Sequence, residues 1–371
     1  MLYLTMSEVI VKNAEDYHGN LKIIVYDVLD RTIGNMYLDG LSVLVKPNLL
    51  SAASPEKAVT THPRIIRFVC EYLAEKNAGI TISDSPAVGS FKKIIKECGI
   101  VDELKGIPVK FTEFKKSRQV EVNAPFHRIE LASDALDAGL IINLPKLKTH
   151  SQMLLTLGVK NLFGCVVGMR KPQWHLRTGV DTDMFARLLI EIYLSLKPSI
   201  TILDGILGME GQGPGKRGIP KHLGVILASE DAIALDYVVA QMLNIDPMSV
   251  PVNRAAGNMG LVRDMDINGE IRKVTGFLLP KTADLLFGPA FLHRFMRKNL
   301  TQRPEHEEDL CEMCLECINH CPAAAISTLD NSLRFDYDRC IRCYCCVEIC
   351  PFGAMKTTQP LMGRIFSRII K

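Results

Sequence analysis

No stretch of this 371-residue sequence approaches the roughly 18 consecutive apolar residues that a membrane-spanning helix needs. Its start, MLYLTMSEVIVKNAEDYHGN, lacks a basic segment, a long apolar core and a small-residue cleavage site. Export is therefore not expected, and a cytoplasmic location is. Aromatic residues are scarce, at 6% with a single tryptophan. They do not interleave with the lysines, so no nucleic-acid partner is expected. The net charge of +3 is likewise too small to argue for one. Neither G-x-x-x-x-G-K-[ST] nor G-x-G-x-x-G is present, so no nicotinamide or other nucleotide is assigned, and no HExxH joins the histidines. What remains, 47% hydrophobic and 23% charged, fits a globular chain of two or more domains.

Cysteine is plentiful but unevenly spread, with nine of the twelve lying between residues 311 and 350. They read CEMCLECINHCP and CIRCYCCVEICP, two runs of C-x2-C-x2-C-x3-C-P. Zinc also accepts C-x2-C pairs, yet zinc needs no repeated four-cysteine run closed by proline. The spacing is that of bacterial two-cluster ferredoxins, where the fourth cysteine of each run serves the other cluster. Cys311, Cys314, Cys317 and Cys350 are assigned to one [4Fe–4S] cluster, and Cys340, Cys343, Cys346 and Cys321 to the second. Cys345 falls outside both sets and is read as a non-ligand thiol. Residues 305–356 resemble the two-cluster ferredoxin module at every ligand position, which implies one-electron transfer at low potential in a reducing, anaerobic setting. This module holds ten acidic against four basic residues, a balance of −6, while residues 1–304 carry +6 and the tail 357–371 carries +3.

Residues 1–270 alternate short apolar runs with amphipathic ones. Runs at 41–48, 79–86, 139–146, 199–205 and 224–229 read as strands covered on both faces. Segments such as PRIIRFVCEYLAEKNAG, with Pro63 at its start and Gly79 at its stop, read as helices. The expected fold class is α/β, a largely parallel sheet with helices on both faces, plus the small α+β ferredoxin-like domain. Residues 271–304 read as a connecting helical segment. That segment and the tail 357–371 also admit a membrane-surface reading.

Ligands of open α/β sheets sit beyond the carboxyl ends of the strands. Those ends carry Lys46, Asn48, Asp84, Lys146, Lys148, His150 and Asp204. GVKNLFG adds Lys160 and Asn161, and the segment after Met169 adds Arg170 and Lys171, with Trp174 and His175 beyond. GILGMEGQGPGKRG, residues 205–218, has six glycines, including Gly211 and Gly213, and reads as a loop able to close over a ligand, with Glu210 as its nearest carboxylate.

VLVKPNL, TTHP, SDSPAVG, LPKLKTH, GVKNLFG and LDGILGMEGQGP together resemble the family called domain of unknown function 362, over roughly residues 40–250. The resemblance implies an α/β architecture often fused to this ferredoxin module, and it marks the basic run and the glycine segment as hallmark positions. It implies no reaction. Residue chemistry points to an iron–sulfur oxidoreductase acting on an anionic carboxylate or phosphate compound. His150, Lys146, Lys148 and Asp204 are its candidate catalytic groups. Lys46, Asn48, Asp84, Lys160, Asn161, Arg170, Gly211 and Gly213 are its candidate binding groups. A further organic cofactor such as a flavin is left open. The alternatives are an electron-transfer or assembly subunit docking on a redox partner protein, and a non-redox enzyme whose clusters are structural or regulatory.

Overall fold

The computed structural model describes residues 6–179, 181–280, 295, 296 and 298–369. In chain order the body's strands are β1 (Ser7–Asn13), β2 (Ser42–Pro47), β3 (Gly79–Asp84), β4 (Val109–Glu113), β5 (Ser117–Glu121) and β6 (Arg128–Ala132). They continue as β7 (Leu140–Leu144), β8 (Lys146–His150), β9 (Leu154–Thr156), β10 (Ile200–Gly211), β11 (Gly218–Ser229) and β12 (Met265–Asn268). The main sheet runs β12-β1-β11-β10-β7-β2-β3-β4, with β8 also on β10 and β9 on β8. From β10 to β4 the pairs are parallel, whereas β11 is antiparallel to both β10 and β1.

Both faces of the parallel part are covered, as continuous apolar strands require. Val43 and Val45 of β2 and Leu140 and Ile142 of β7 pack with Ile66, Val69 and Leu73 of the helix Pro63–Glu75. Leu44 and Ile141 point the other way, into a core with Leu188, Leu189 and Ile192 of the helix Thr182–Leu196. The first helix is capped by His62, whose side chain accepts from the Arg64 amide, and it ends at Glu75. Gly79, expected as its stop, instead opens β3, and Asn77 takes the left-handed conformation.

Two strands run further than their sequence patterns indicate. The chain does not leave the sheet at Lys146. Pro145 interrupts the ladder because it has no amide hydrogen, and β8 then continues beside β10, with Lys146 opposite Asp204 and Lys148 opposite Met209. The glycine-rich segment is no lid either. Residues 205–211 lie in β10 and Gly218 opens β11, so only the hairpin tip is free of strand pairing. Glycine is required there by close approach: a Cβ on Gly205 would meet the Val225 carbonyl oxygen at 2.9 Å.

The expected helical connector begins without a helix. Residues 271–279 form a strap on the body, where Val274 donates to the Met242 carbonyl and Leu278 to Glu210. Most of the remaining connector, 281–294, lies outside the described residues. The ferredoxin-like part contains β13 (Arg303–His306), β14 (Ile326–Leu329), β15 (Ser332–Phe335) and β16 (Met355–Thr358). β13 pairs with β16 and β14 with β15, so each repeat's first strand binds the other repeat's last. The expected boundaries at 305 and 356 therefore fall inside paired strands. What was read as a tail holds the end of β16 and a helix, Leu361–Ile369. Among the described residues no helix is long and apolar enough to cross a membrane.

Lys146 and Asp204 tie β8 to β10 at the centre of the body. Their Nζ–Oδ2 distance is 2.7 Å and both side chains are 0% exposed. Tyr17 donates to Asp204 Oδ1 at 2.8 Å and the His62 amide donates to Oδ2 at 2.9 Å. The Tyr17 ring stacks on His62 at 3.5 Å. Removing one partner of such a pair leaves a buried charge uncompensated, at a cost of about 3–5 kcal/mol. Lys146→Met is therefore expected to destabilise the body by that amount in anaerobic urea denaturation. A loss below about 1 kcal/mol would contradict this account of the pair.

Candidate functional site

A cavity of about 250 Å³ opens at the carboxyl edge of the parallel strands. Asn48 follows β2, Asp84 ends β3, Lys148 lies in β8, and Lys160 and Asn161 come from the short helix Gly158–Asn161. Lys171 and His175 enter from the helix Arg170–Thr178. The ferredoxin-like part contributes His320, Cys345, Glu348 and Ile349 to the wall. The cavity is thus an interface between the two parts of the chain, which no local sequence pattern announces.

Its floor is an ion pair and an amide network. Lys46 Nζ lies 3.0 Å from Asp84 Oδ1 and donates to the Pro47 carbonyl at 2.8 Å. Asp84 also accepts from the Leu49 and Ser85 amides. Asn48 Nδ2 donates to Asn161 Oδ1 at 2.9 Å, and Asn161 Nδ2 donates to Asn143 Oδ1 at 2.8 Å. Lys148 donates to Asn48 Oδ1 at 2.8 Å and to the Val59 carbonyl at 2.7 Å. Because those acceptors are neutral, burial dominates and pushes Lys148 down to about 7. Burial likewise lowers Lys160, and it lowers Lys171 to about 8.

His150 is held behind this wall. Its Nδ1 accepts from the Gln152 and Met153 amides, both at 3.1 Å, which places the neutral ring's proton on Nε2. Nε2 faces Glu348 Oε2 at 3.4 Å, without hydrogen-bond alignment. Burial pushes His150 down to about 4 and His175 down to about 3, so both are neutral near pH 7. Burial alone would raise the Glu348 carboxyl, but the Lys160 ammonium above all holds it below the ordinary carboxylate range.

Several expected site residues stand elsewhere. Lys146 and Asp204 do not line the cavity, because Asp204 is saturated by three donors of the body. Arg170 pairs with Glu130 at 2.6 Å, outside the cavity, while Lys171, next on the helix and turned by about 100°, faces in. Glu210 accepts from Leu278 and pairs with Lys221 at 3.5 Å, and Gly211 donates to the Leu278 carbonyl. Gly213 is packed under Thr149 and donates to its hydroxyl, so Pro214 rather than either glycine lines the cavity. The hairpin tip acts as a cradle for the ferredoxin-like part. A Cβ on Gly215 would stand 2.7 Å from the Glu348 carbonyl oxygen, and Arg217 binds Glu307 at 2.8 Å and the Gly353 carbonyl at 2.9 Å.

The cysteine loops repeat their backbone in both halves. Met313 and Arg342, Leu315 and Tyr344, and Ala324 and Gly353 occupy equivalent positions, all with positive φ. Cys311, Cys314, Cys317 and Cys350 line one small cavity with Leu333, Ala354 and Met355. Among the described residues no three or more His, Cys, Asp or Glu side chains come together as a single metal-ion site. Burial and the neighbouring thiols Cys314, Cys350 and Cys311 push Cys317 up to about 12. Burial also raises Cys346, whose neighbours are Cys343, Cys340, Cys317 and Cys321. The residues present, with thiols gathered in the cysteine loops of both halves, fit iron–sulfur ligation.

One glycine tests the floor of the site. A Cβ on Gly164 would lie 2.6 Å from Lys46 Nζ and closer still to Asp84 Oδ1. Gly164→Ala is expected to lower the melting temperature, with a loss of about 1–3 kcal/mol. Unchanged stability would contradict the observed packing of that pair.

Residues 43–241 match the family model described as Domain of unknown function (DUF362), and residues 303–351 match a 4Fe-4S dicluster domain. The Thylakoid-associated protein sll1697 of Synechocystis sp. is 38% identical over 229 residues, covering 62% of this chain and 71% of that protein. The lactate racemase apoprotein of Thermoanaerobacterium thermosaccharolyticum aligns at 12% identity with a TM-score of 0.39, over 61% of this chain and 54% of the racemase. The chain spans about half of that racemase, and so distant a likeness says nothing of its reaction. The basic strand ends, the GVKNLFG helix and the hairpin all lie inside the first matched region, and the chain belongs to the DUF362 family, joined to a 4Fe-4S ferredoxin domain.

Proposed function

We propose that this protein is a cytoplasmic iron–sulfur oxidoreductase that binds an anionic carboxylate or phosphate compound in the cavity and exchanges electrons with it. One observation carries the reading: the cavity at the sheet's ligand edge is closed by the helix Cys345–Ile349, which contains Cys346 and is followed by Cys350. Cys311, Cys314, Cys317 and Cys350 would hold one [4Fe–4S] cluster, and Cys340, Cys343, Cys346 and Cys321 the other. Such clusters supply one-electron transfer at low potential.

The chain's own residues have separable tasks. Lys148, Lys160 and Lys171 attract and hold the anion, Asn48 and Asn161 orient Lys148, and Lys46 holds Asp84 in place. Lys171 and Lys160 are proton-bearing groups on the wall, whereas neutral His150 stands behind it, its Nε2 3.4 Å from Glu348. The volume favours a small metabolite over a whole flavin nucleotide, since drug-sized ligands occupy ~300–1,000 Å³.

A second reading, an electron-transfer or assembly subunit, draws on a different observation. The helix Leu361–Ile369 exposes Leu361, Met362 and Ile365, and the cyanobacterial relative is named for its association with thylakoids. In that case a partner protein, rather than the cavity ligand, exchanges the electrons.

Lys148→Met and Lys160→Met are expected to leave the iron–sulfur spectrum of the anaerobically reconstituted protein intact while abolishing ligand-dependent reoxidation. Arg170→Met should change neither. If the two lysine variants reoxidise like wild type, the subunit reading prevails. Anion affinity should also fall as pH rises from about 6 to 9, because Lys148 and Lys171, lowered to about 7 and about 8, lose their charge. A flat calorimetric profile over that range would contradict their role.

A further inference from the structure

The cavity walls carry more positive charge than they neutralise. Lys46 and Lys146 are each matched by their own carboxylate, Asp84 and Asp204. Lys148 meets only the neutral oxygens of Asn48 and Val59, and Lys171 donates to the Ser85 carbonyl. Lys160 is 8% exposed, and among the described residues no hydrogen-bond or ion-pair partner meets its ammonium group. Against these three lysines stands one further carboxylate on the wall, Glu348. When all three lysines are protonated, two positive charges on this half-open cavity have no carboxylate to match them, and burying unmatched charge is costly.

Polar groups without partners gather on the same wall. The Thr156 hydroxyl and His175 Nδ1 have no hydrogen-bond partner among the described residues, and both residues are 4% exposed. Both atoms lie just behind the cavity surface, and on that surface Lys160 is an ammonium group without a protein hydrogen-bond partner among the described residues. A buried polar atom without a partner is rare unless a ligand or water completes it.

We infer that the ligand of this cavity is a small dianion, a dicarboxylate or a phosphate monoester, whose two charges balance the surplus of Lys148, Lys160 and Lys171 over Glu348. This rests on the cavity's being an anion site and not on electron transfer. One negative charge would leave the wall cationic, and the volume of about 250 Å³ admits only a compact molecule.

Isothermal titration of the anaerobically reconstituted full-length protein at pH 7 with succinate, inorganic phosphate and propionate tests the inference. Succinate or phosphate should bind at least about tenfold more tightly than propionate, as expected for a second charge-assisted contact. Which of the two binds identifies the dicarboxylate or the phosphate source. Lys160→Met should bring that preference close to unity while the iron–sulfur spectrum stays intact, because Lys160 makes no hydrogen bond or salt bridge among the described residues and meets Glu348 only through a longer-range charge interaction. Should that variant fail to fold, Lys171→Met provides the same comparison. Equal affinity for all three anions, binding of none, or an equal weakening of all three in the variant would each overturn the inference. If a dianion binds but the reduced protein never passes electrons to any cavity ligand, the oxidoreductase reading fails while the charge inference stands.

Discussion

Taking an ammonium group out of water costs several kcal/mol unless a carboxylate or a set of oxygens replaces the water, and the carboxyl edge of this sheet takes in five lysines. Two are matched inside the body, by Asp84 and Asp204. The others face a common cavity, where the ferredoxin-like part contributes Glu348. That carboxylate lies near Lys160, His150 and His175, and the Lys160 ammonium above all holds it ionised. Electrostatics and shape therefore agree on one docking position, reinforced by Arg217 on Glu307 and by the bare backbone of Gly215. The two parts meeting in this way close one side of the cavity.

How far the sequence discloses this depends on the range of the interactions involved. The cysteine loops follow from spacing within two short runs, and Cys311, Cys314, Cys317 and Cys350 do line one small cavity. The parallel strands follow from local apolar runs, and β2, β3 and β7 stand where those runs place them. The separate fates of Lys146 and Lys148 are not local. Two residues along a strand are only about 7 Å apart, yet one meets Asp204 across the ladder and the other reaches the cavity. Arg170 and Lys171 diverge for a similar reason, being adjacent on a helix and so directed to different sides. The glycine segment was read as a lid because glycine implies freedom in isolation, but here it answers close approach to Val225, Thr149 and Glu348. Glu348 itself looks like an ordinary module residue until the docking is seen.

The family match gives the body an affiliation, and the ferredoxin match gives the other part its chemistry. The argument for joining them is physical. The helix that contains Cys346 and is followed by Cys350 also lines the cavity that Lys148, Lys160 and Lys171 line from the body. Tethering in one chain keeps the two parts at high effective concentration, and the buried contacts fix their orientation.

The central claim is that the cavity's anion lies beside the iron–sulfur part of the chain. Phosphorus-31 electron–nuclear double resonance on chemically reduced, full-length protein titrated with inorganic phosphate measures that adjacency directly. The account predicts a phosphorus coupling to the reduced iron–sulfur spin that disappears in Lys160→Met. Phosphate shown by calorimetry to bind at the lysines, with no phosphorus coupling in the reduced protein, would contradict it.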